Sequence, residues 1–292
     1  MIRRDARELS DQSTPPMISR LDRPRMNRRN WLASLAALPC WVLVSARTGG
    51  IDERARPERE RGAIVRGPRD RKHLALVFTG DRYAESAGPI LDVLRRRRIR
   101  AACFLTGRFL REPDFRRIVR RARDEGHDLG PHSDSHLLYA TWDRPHKLLV
   151  TRAQFHADLA ANDRALAAIG SEPARFPYFL PPYEHYTAEI AGWTAAAGRI
   201  LINLTPGTLS HTDYMEDADP RFVLADRIVE SILRAERTDP DGLNGFLLLM
   251  HLGAGPRRTR DHLHDRLDHL LGRIADRGYA FVRVPDLLAP ET

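Results

Sequence analysis

From His73 onward the chain alternates short apolar runs with longer stretches in which apolar positions recur every three or four residues. Leu74-Ala75-Leu76-Val77-Phe78 predicts a buried strand, and Ile90, Leu91, Val93 and Leu94 predict a helix that ends in Arg95–Arg98, where cations favour a helix C-terminus. A strand over 100–106, a helix over 109–125 and a helix over 154–169 follow. Then come a strand at 176–179, a helix at 188–197, a strand at 200–204 and a helix at 223–236. The apolar run Gly245–His251 predicts another strand, and 261–277 and 280–284 close the series. Strand–helix alternation of this length predicts a parallel sheet closed into a barrel or near-barrel, with the chemistry at the carboxyl ends of the strands. Thr79-Gly80-Asp81, His132 and His136, the segment after Phe179, and His251 all fall at such ends.

Ahead of the barrel the texture differs. Residues 47–72 are rich in Arg, Glu, Gly and Pro, and read as a charged flexible linker. In 1–46, Arg28-Arg29 precedes an apolar run from Trp31 to Val44, and Val44-Ser45-Ala46 offers small residues for cleavage. That pattern resembles a twin-arginine export signal, with Met26 as its start. Trp31–Val44 is short for a bilayer span and is interrupted by Pro39, so the expectation is an exported protein that meets a membrane only through this segment. Cleavage at Ala46 leaves Cys103 as the one cysteine and excludes an intrachain disulfide.

Charge changes the picture once it is located. Of 292 residues 29% are charged, with a formal net charge of +8. Residues 1–72 hold 17 of the 47 Lys and Arg and 9 of the 39 Asp and Glu, so the remaining 30 of each cancel in the barrel. The basic excess belongs to the tail, and a nucleic-acid partner loses its support.

The candidate chemistry centres on Gly130–Tyr139, G-P-H-S-D-S-H-L-L-Y. His132 and His136 are four apart, which on a helical turn puts both imidazoles on one face. With one carboxylate they would make a three-ligand metal site open to water; otherwise they are hydrogen-bonding loop histidines. His262, His264 and His269 lie along an amphipathic helix whose core face is Leu263, Leu267, Leu270 and Leu271, and are expected to face solvent.

In several motifs the chain resembles the polysaccharide deacetylases with a NodB-homology domain, carbohydrate esterase family 4. The likeness runs from about His73 to Pro285. Val77-Phe78-Thr79-Gly80-Asp81 is similar to the family's T-F-D-D-G strand end, and Ala101–Gly107 to its A-x-F-F-x-x-G. Gly126–His136 is similar to G-H-x-[IL]-x-x-H-[ST]-x-x-H, Phe179–Glu184 to R-x-P-P-Y-G, and Leu249-Met250-His251 to the late L-x-H. The resemblance implies a distorted (β/α) barrel over 73–288. It also implies a divalent ion, zinc or else cobalt, manganese or nickel, and an acylated polysaccharide or oligosaccharide substrate. His132 and His136 become metal ligands, and His251 the general acid towards the leaving amine or alcohol.

The departures fall at the centre. The family's base Asp aligns with Thr79, its metal Asp with Gly80, and its base-orienting Arg with Leu180. Two carboxylates stand at former glycine positions, Asp81 and Glu184. A Gly80-Asp81 turn can swing Asp81 onto the metal, the favoured reading; the alternative is that Asp81 caps the next helix. Glu184 is the leading replacement base and Asp134 the alternative. Tyr183, Thr79, Thr205, Thr208 and His211 are expected to shape the substrate pocket. The acidic residue and Trp that the family often carries near here are expected to be lacking. The expectation is thus a metal-dependent hydrolase removing acetyl or related groups from a carbohydrate. The competing reading is a carbohydrate-binding relative that kept the fold and lost turnover.

Overall fold

The protein is described here by a computed structural model covering residues 53–289. The expected signal segment, its expected cut at Ala46 and the first residues of the expected linker lie outside these. β1 (Glu58–Glu60) and β2 (Ala63–Arg66) form an antiparallel hairpin. β3 (His73–Gly80), α1 (Ala87–Arg97), β4 (Ala102–Leu105), α2 (Gly107–Arg111), α3 (Arg116–Asp124) and β5 (Asp128–Pro131) build one side of the barrel. α4 (Arg152–Ala168), β6 (Tyr178–Phe179), α5 (Ala188–Ala196) and β7 (Ile200–Leu201) build the other. α6 (Ala225–Thr238), β8 (Leu247–His251), α7 (His264–Ala275), β9 (Ala280–Phe281) and α8 (Val284–Leu288) complete the chain.

The main sheet is parallel, in the order β5-β4-β3-β8, with β9 beside the first residues of β3. β6 and β7 form a second parallel pair. Leu180 N–H donates to the Pro131 carbonyl at 3.4 Å, joining the end of β6 to β5. Ile64 of β2 bridges Ile202 just past β7. Thr205 Oγ1 donates to the Val65 carbonyl at 2.6 Å and accepts from Leu247 N–H at 2.9 Å, which ties β2 to β8 and closes the ring. The result is a distorted (β/α) barrel.

The period-two alternation of β3 explains its place at the centre. Leu74, Leu76 and Phe78 pack outward among the helices, while Ala75 and Val77 pack inward with Phe104, Tyr178, Leu180, Ile202 and Leu249. Its neighbour β8 runs in register, so that Thr79 lies beside His251.

Three expectations are corrected. The linker of 47–72 is not flexible throughout, because Ala63, Ile64 and Val65 are buried and Arg66 is 6% exposed. Arg66 forks onto Asp239 and also donates to the carbonyls of Gly242 and Asn244. The single helix expected over 109–125 is two, α2 and α3, broken where Pro113 removes a backbone donor. Gly130–Tyr139 is not helical beyond β5: Ser133 and His136 take left-handed backbone at φ 70° and 56°.

Candidate active site

β5 delivers His132 to the carboxyl end of the sheet, and a loop returns His136 beside it, with ring centroids 5.1 Å apart. α4 holds this loop from beneath with two buried polar side chains one turn apart. Asp158 accepts from the backbone N–H groups of Asp134 and Ser135 at 3.0 and 3.1 Å. Asn162 accepts from His132 N–H at 2.8 Å and donates to the Leu105 carbonyl. His132 Nδ1 lies 2.8 Å from the Leu180 carbonyl, which can only accept, so Nδ1 carries the proton and Nε2 keeps its lone pair. Burial pushes both imidazoles down to about 3, helped at His132 by His136 and at His136 by the Arg108 guanidinium. They are neutral nitrogen donors at any physiological pH.

A cavity of about 500 Å³ opens above them. Thr79, Asp81, His132, His136, Tyr183, Glu184 and His251 all line it. His251 stands at the end of β8 with Nδ1 2.6 Å from Asp213 Oδ1, while Asp213 Oδ2 accepts from the His251 backbone N–H at 2.9 Å. Burial alone would lower the His251 pKa, but Asp213 and Glu184 more than offset it and the net shift is upward. The Tyr214 ring packs 4.8 Å from His251. Glu184 follows Pro181-Pro182 and is only partly exposed; burial raises its carboxyl to about 7 against the opposing pull of His251. Tyr183 and Glu184 are consecutive residues at φ 59° and 54°, a conformation costing about 1–2 kcal/mol each in non-glycine residues. The Asn203 side chain holds the Glu184 carbonyl there at 2.7 Å.

The two remaining carboxylates are taken by arginines of α2. Asp81 accepts from Arg108 Nε at 2.5 Å, and Asp134 forks onto Arg111 at 2.6 and 2.9 Å. Asp134 therefore points towards Gly107 and α2, does not line the cavity, and is withdrawn as a base. Asp81 lines the cavity but is not joined to the imidazoles: among the described residues no three His, Cys, Asp or Glu side chains converge as a metal cluster. Two neutral imidazoles suit a divalent ion, yet they fall one short of the three protein ligands of a catalytic site. The ligand set expected from the sequence is not assembled.

Other expectations change as well. Thr205 closes the barrel through its hydroxyl. Thr208 is buried against Ser210, and His211 lies behind the dyad with Nδ1 unpartnered; none of the three lines the cavity. His264 is not solvent-facing, since Nδ1 sits 2.9 Å from Ser86 Oγ and the side chain is 14% exposed. Asp213 went unrecognised, although an acidic residue shortly after the β7 strand was the signal to look for. Tyr83, Trp142 and Tyr214 on the cavity wall were also missed, because loop aromatics carry no periodicity.

A parallel barrel with a neutral histidine pair and an Asp–His dyad at its carboxyl end defines the class, a NodB-type (β/α) barrel. Residues 66–199 match the family model for polysaccharide deacetylases. It is 24% identical over 224 residues to a peptidoglycan-N-acetylglucosamine deacetylase of Bacillus cereus, covering 76% of this chain and 70% of that protein. In fold it is similar to the Bc1960 peptidoglycan N-acetylglucosamine deacetylase (TM-score 0.62, 21% identity, 78% of this chain and 92% of that one). It is equally similar to a family 4 carbohydrate esterase pseudoenzyme from Bacillus anthracis (TM-score 0.61, 19% identity, 80% and 70%).

Proposed function

We propose that the protein is an exported hydrolase that removes acetyl or similar acyl groups from a carbohydrate, with Glu184 as proton acceptor and His251 as proton donor. The observation that carries this reading is the His251–Asp213 dyad at 2.6 Å, facing Glu184 in one cavity. Asp213 holds the His251 proton on Nδ1 and raises its pKa, so the protonated ring is stocked for donation through Nε2. Glu184, near 7, is matched to accept a proton from water close to neutrality. Water oxygen bonds to the acyl carbon, its proton passes to Glu184, and the C–N or C–O bond breaks as His251 protonates the leaving atom. A free carboxylic acid and an amine or alcohol result. Arg82 and Arg108, whose charges act on His136, provide positive potential for the developing oxyanion.

The carbohydrate class is supported by the rim. Tyr83, Tyr183 and Tyr214 are the three tyrosines among the exposed large hydrophobic residues, and all three line this cavity beside Trp142. Exposed aromatic rings gathered at one opening suit stacking on sugar faces. The likeness to a peptidoglycan deacetylase points the same way. The test is mass spectrometry of N- and O-acetylated oligosaccharides after incubation. Glu184→Gln should bind them as the parent does while turnover falls by about a hundredfold or more. Equal turnover in parent and variant overturns the assignment of the base.

A second reading, a binder without turnover, is favoured by the Arg108–Asp81 pair and by Thr79 at the strand end. Oligosaccharide binding with no acyl release under any metal supplementation would select it. Export is proposed from the sequence of residues 26–46 and is tested by a reporter fusion. Replacing Arg28 and Arg29 by Lys should block translocation, and continued translocation points to another route.

A further inference from the structure

Every carboxylate that lines the cavity already faces a cationic partner. Glu216 is paired with Arg257, Asp219 with Arg221, and Glu184 interacts with His251. Asp81 is paired with Arg108, with Arg82 at 3.9 Å from its other oxygen, and its charge acts on His132. Arg108 does two things at once. Its Nε holds Asp81 Oδ1 at 2.5 Å, and its Nη2 donates at 3.1 Å to the carbonyl of Ser135, inside the loop between His132 and His136. The guanidinium is thereby fixed over the rim of the histidine pair by both of its neighbours.

The position before Asp81 is a glycine and offers no carboxylate, and a Cβ there would press on Leu105 Cδ2 and Phe109 Cε2 at 3.0 Å. Asp81 is therefore the carboxylate with access to the imidazoles, and a charge-assisted hydrogen bond keeps it on Arg108. A fixed positive charge at that rim also repels an incoming divalent cation.

We propose that Arg108 is an internal counter-cation that keeps Asp81 out of the ligand set. His132 and His136 then form a latent, two-ligand site for a divalent transition metal, which gains its third ligand only when the guanidinium is removed. The Arg108–Asp81 pair makes this inference distinct from the acyl-transfer reading, and its test does not depend on turnover.

The experiment is calorimetric titration of the exported chain with Co²⁺ or Zn²⁺ alone. The parent should bind weakly, and Asp81→Asn should leave its affinity within about twofold, because Asp81 is not a ligand in the resting protein. Arg108→Gln should raise affinity by roughly tenfold or more, the scale on which a metal site responds to such changes. Adding Asp81→Asn to Arg108→Gln should erase the gain. A tenfold loss on Asp81→Asn in the otherwise unaltered chain overturns the proposal, as does a gain in Arg108→Gln that survives loss of Asp81, or no gain at all. Should Arg108→Gln fail to fold, the Asp81→Asn arm still decides. Absence of hydrolysis in any assay leaves these outcomes untouched.

Discussion

At the residue scale the site depends on groups that hold unfavourable states in a fixed arrangement. Tyr183 and Glu184 accept left-handed backbone, and Glu184 accepts burial that lifts its pKa to about 7. His251 keeps a raised pKa inside the protein because Asp213 is bonded to it. That gain has a definite sign. A histidine whose folded pKa lies above its ordinary value stabilises the fold below that ordinary value, and the contribution is lost as pH rises through the folded pKa. Asp213→Asn removes the partner and leaves burial, which lowers the His251 pKa, so the variant is penalised most where the ring is charged. Thermal melts of parent and Asp213→Asn should therefore differ more at pH 6 than at pH 9. Loss of the Asp213 charge also relieves Glu184, which acts in the same direction. A melting difference that is constant across that range would show that the dyad does not set the His251 charge.

At the scale of elements, α4 does for the site what no single motif advertises. Its face towards the histidine loop carries Asp158 and Asn162, both buried, and between them they satisfy three backbone N–H groups of that loop and the Leu105 carbonyl of β4. Asp158→Ala leaves the N–H groups of Asp134 and Ser135 without their acceptor, at about 1–3 kcal/mol for each donor that finds no substitute. The melting temperature should fall, and amide hydrogen exchange should speed up at 134–136 while α1 and α7 keep their protection. Unchanged exchange in the loop would remove this role from α4. The sequence made α4 legible as a helix through its Ala and Leu spacing, and His132, His136 and His251 legible as residues of one site through their strand ends. The engagement of Asp81 and Asp134 by α2 was not legible. It depends on which faces two arginines three residues apart present after Pro113 breaks the helix, and spacing along the chain does not contain that.

At the scale of the whole molecule, the parallel barrel follows from the alternation of strand and helix, but its seam does not. β2 contributes only Ala63-Ile64-Val65 between Arg61-Gly62 and Arg66, a run too short to stand out from a polar segment. Its burial is nevertheless complete, and full burial of Ile64 and Val65 is each worth about 1.5–3 kcal/mol. A chain beginning at His73 should therefore melt at lower temperature than one beginning at Glu53, or precipitate, with exposed apolar surface along β7 and β8 reported by dye binding. Equal stability of the two would make the hairpin dispensable. The same strand has a temporal meaning during synthesis. Arg66 meets Asn244 across a separation of 178 residues, so a segment among the first of the barrel to leave the ribosome must wait for one of the last before it can dock. Closure of the ring is a strongly non-local event, and contacts of that kind slow folding. Until residues near 245 have emerged the barrel stays open at one seam, and the nascent protein passes through an unzipped form that the finished one never displays.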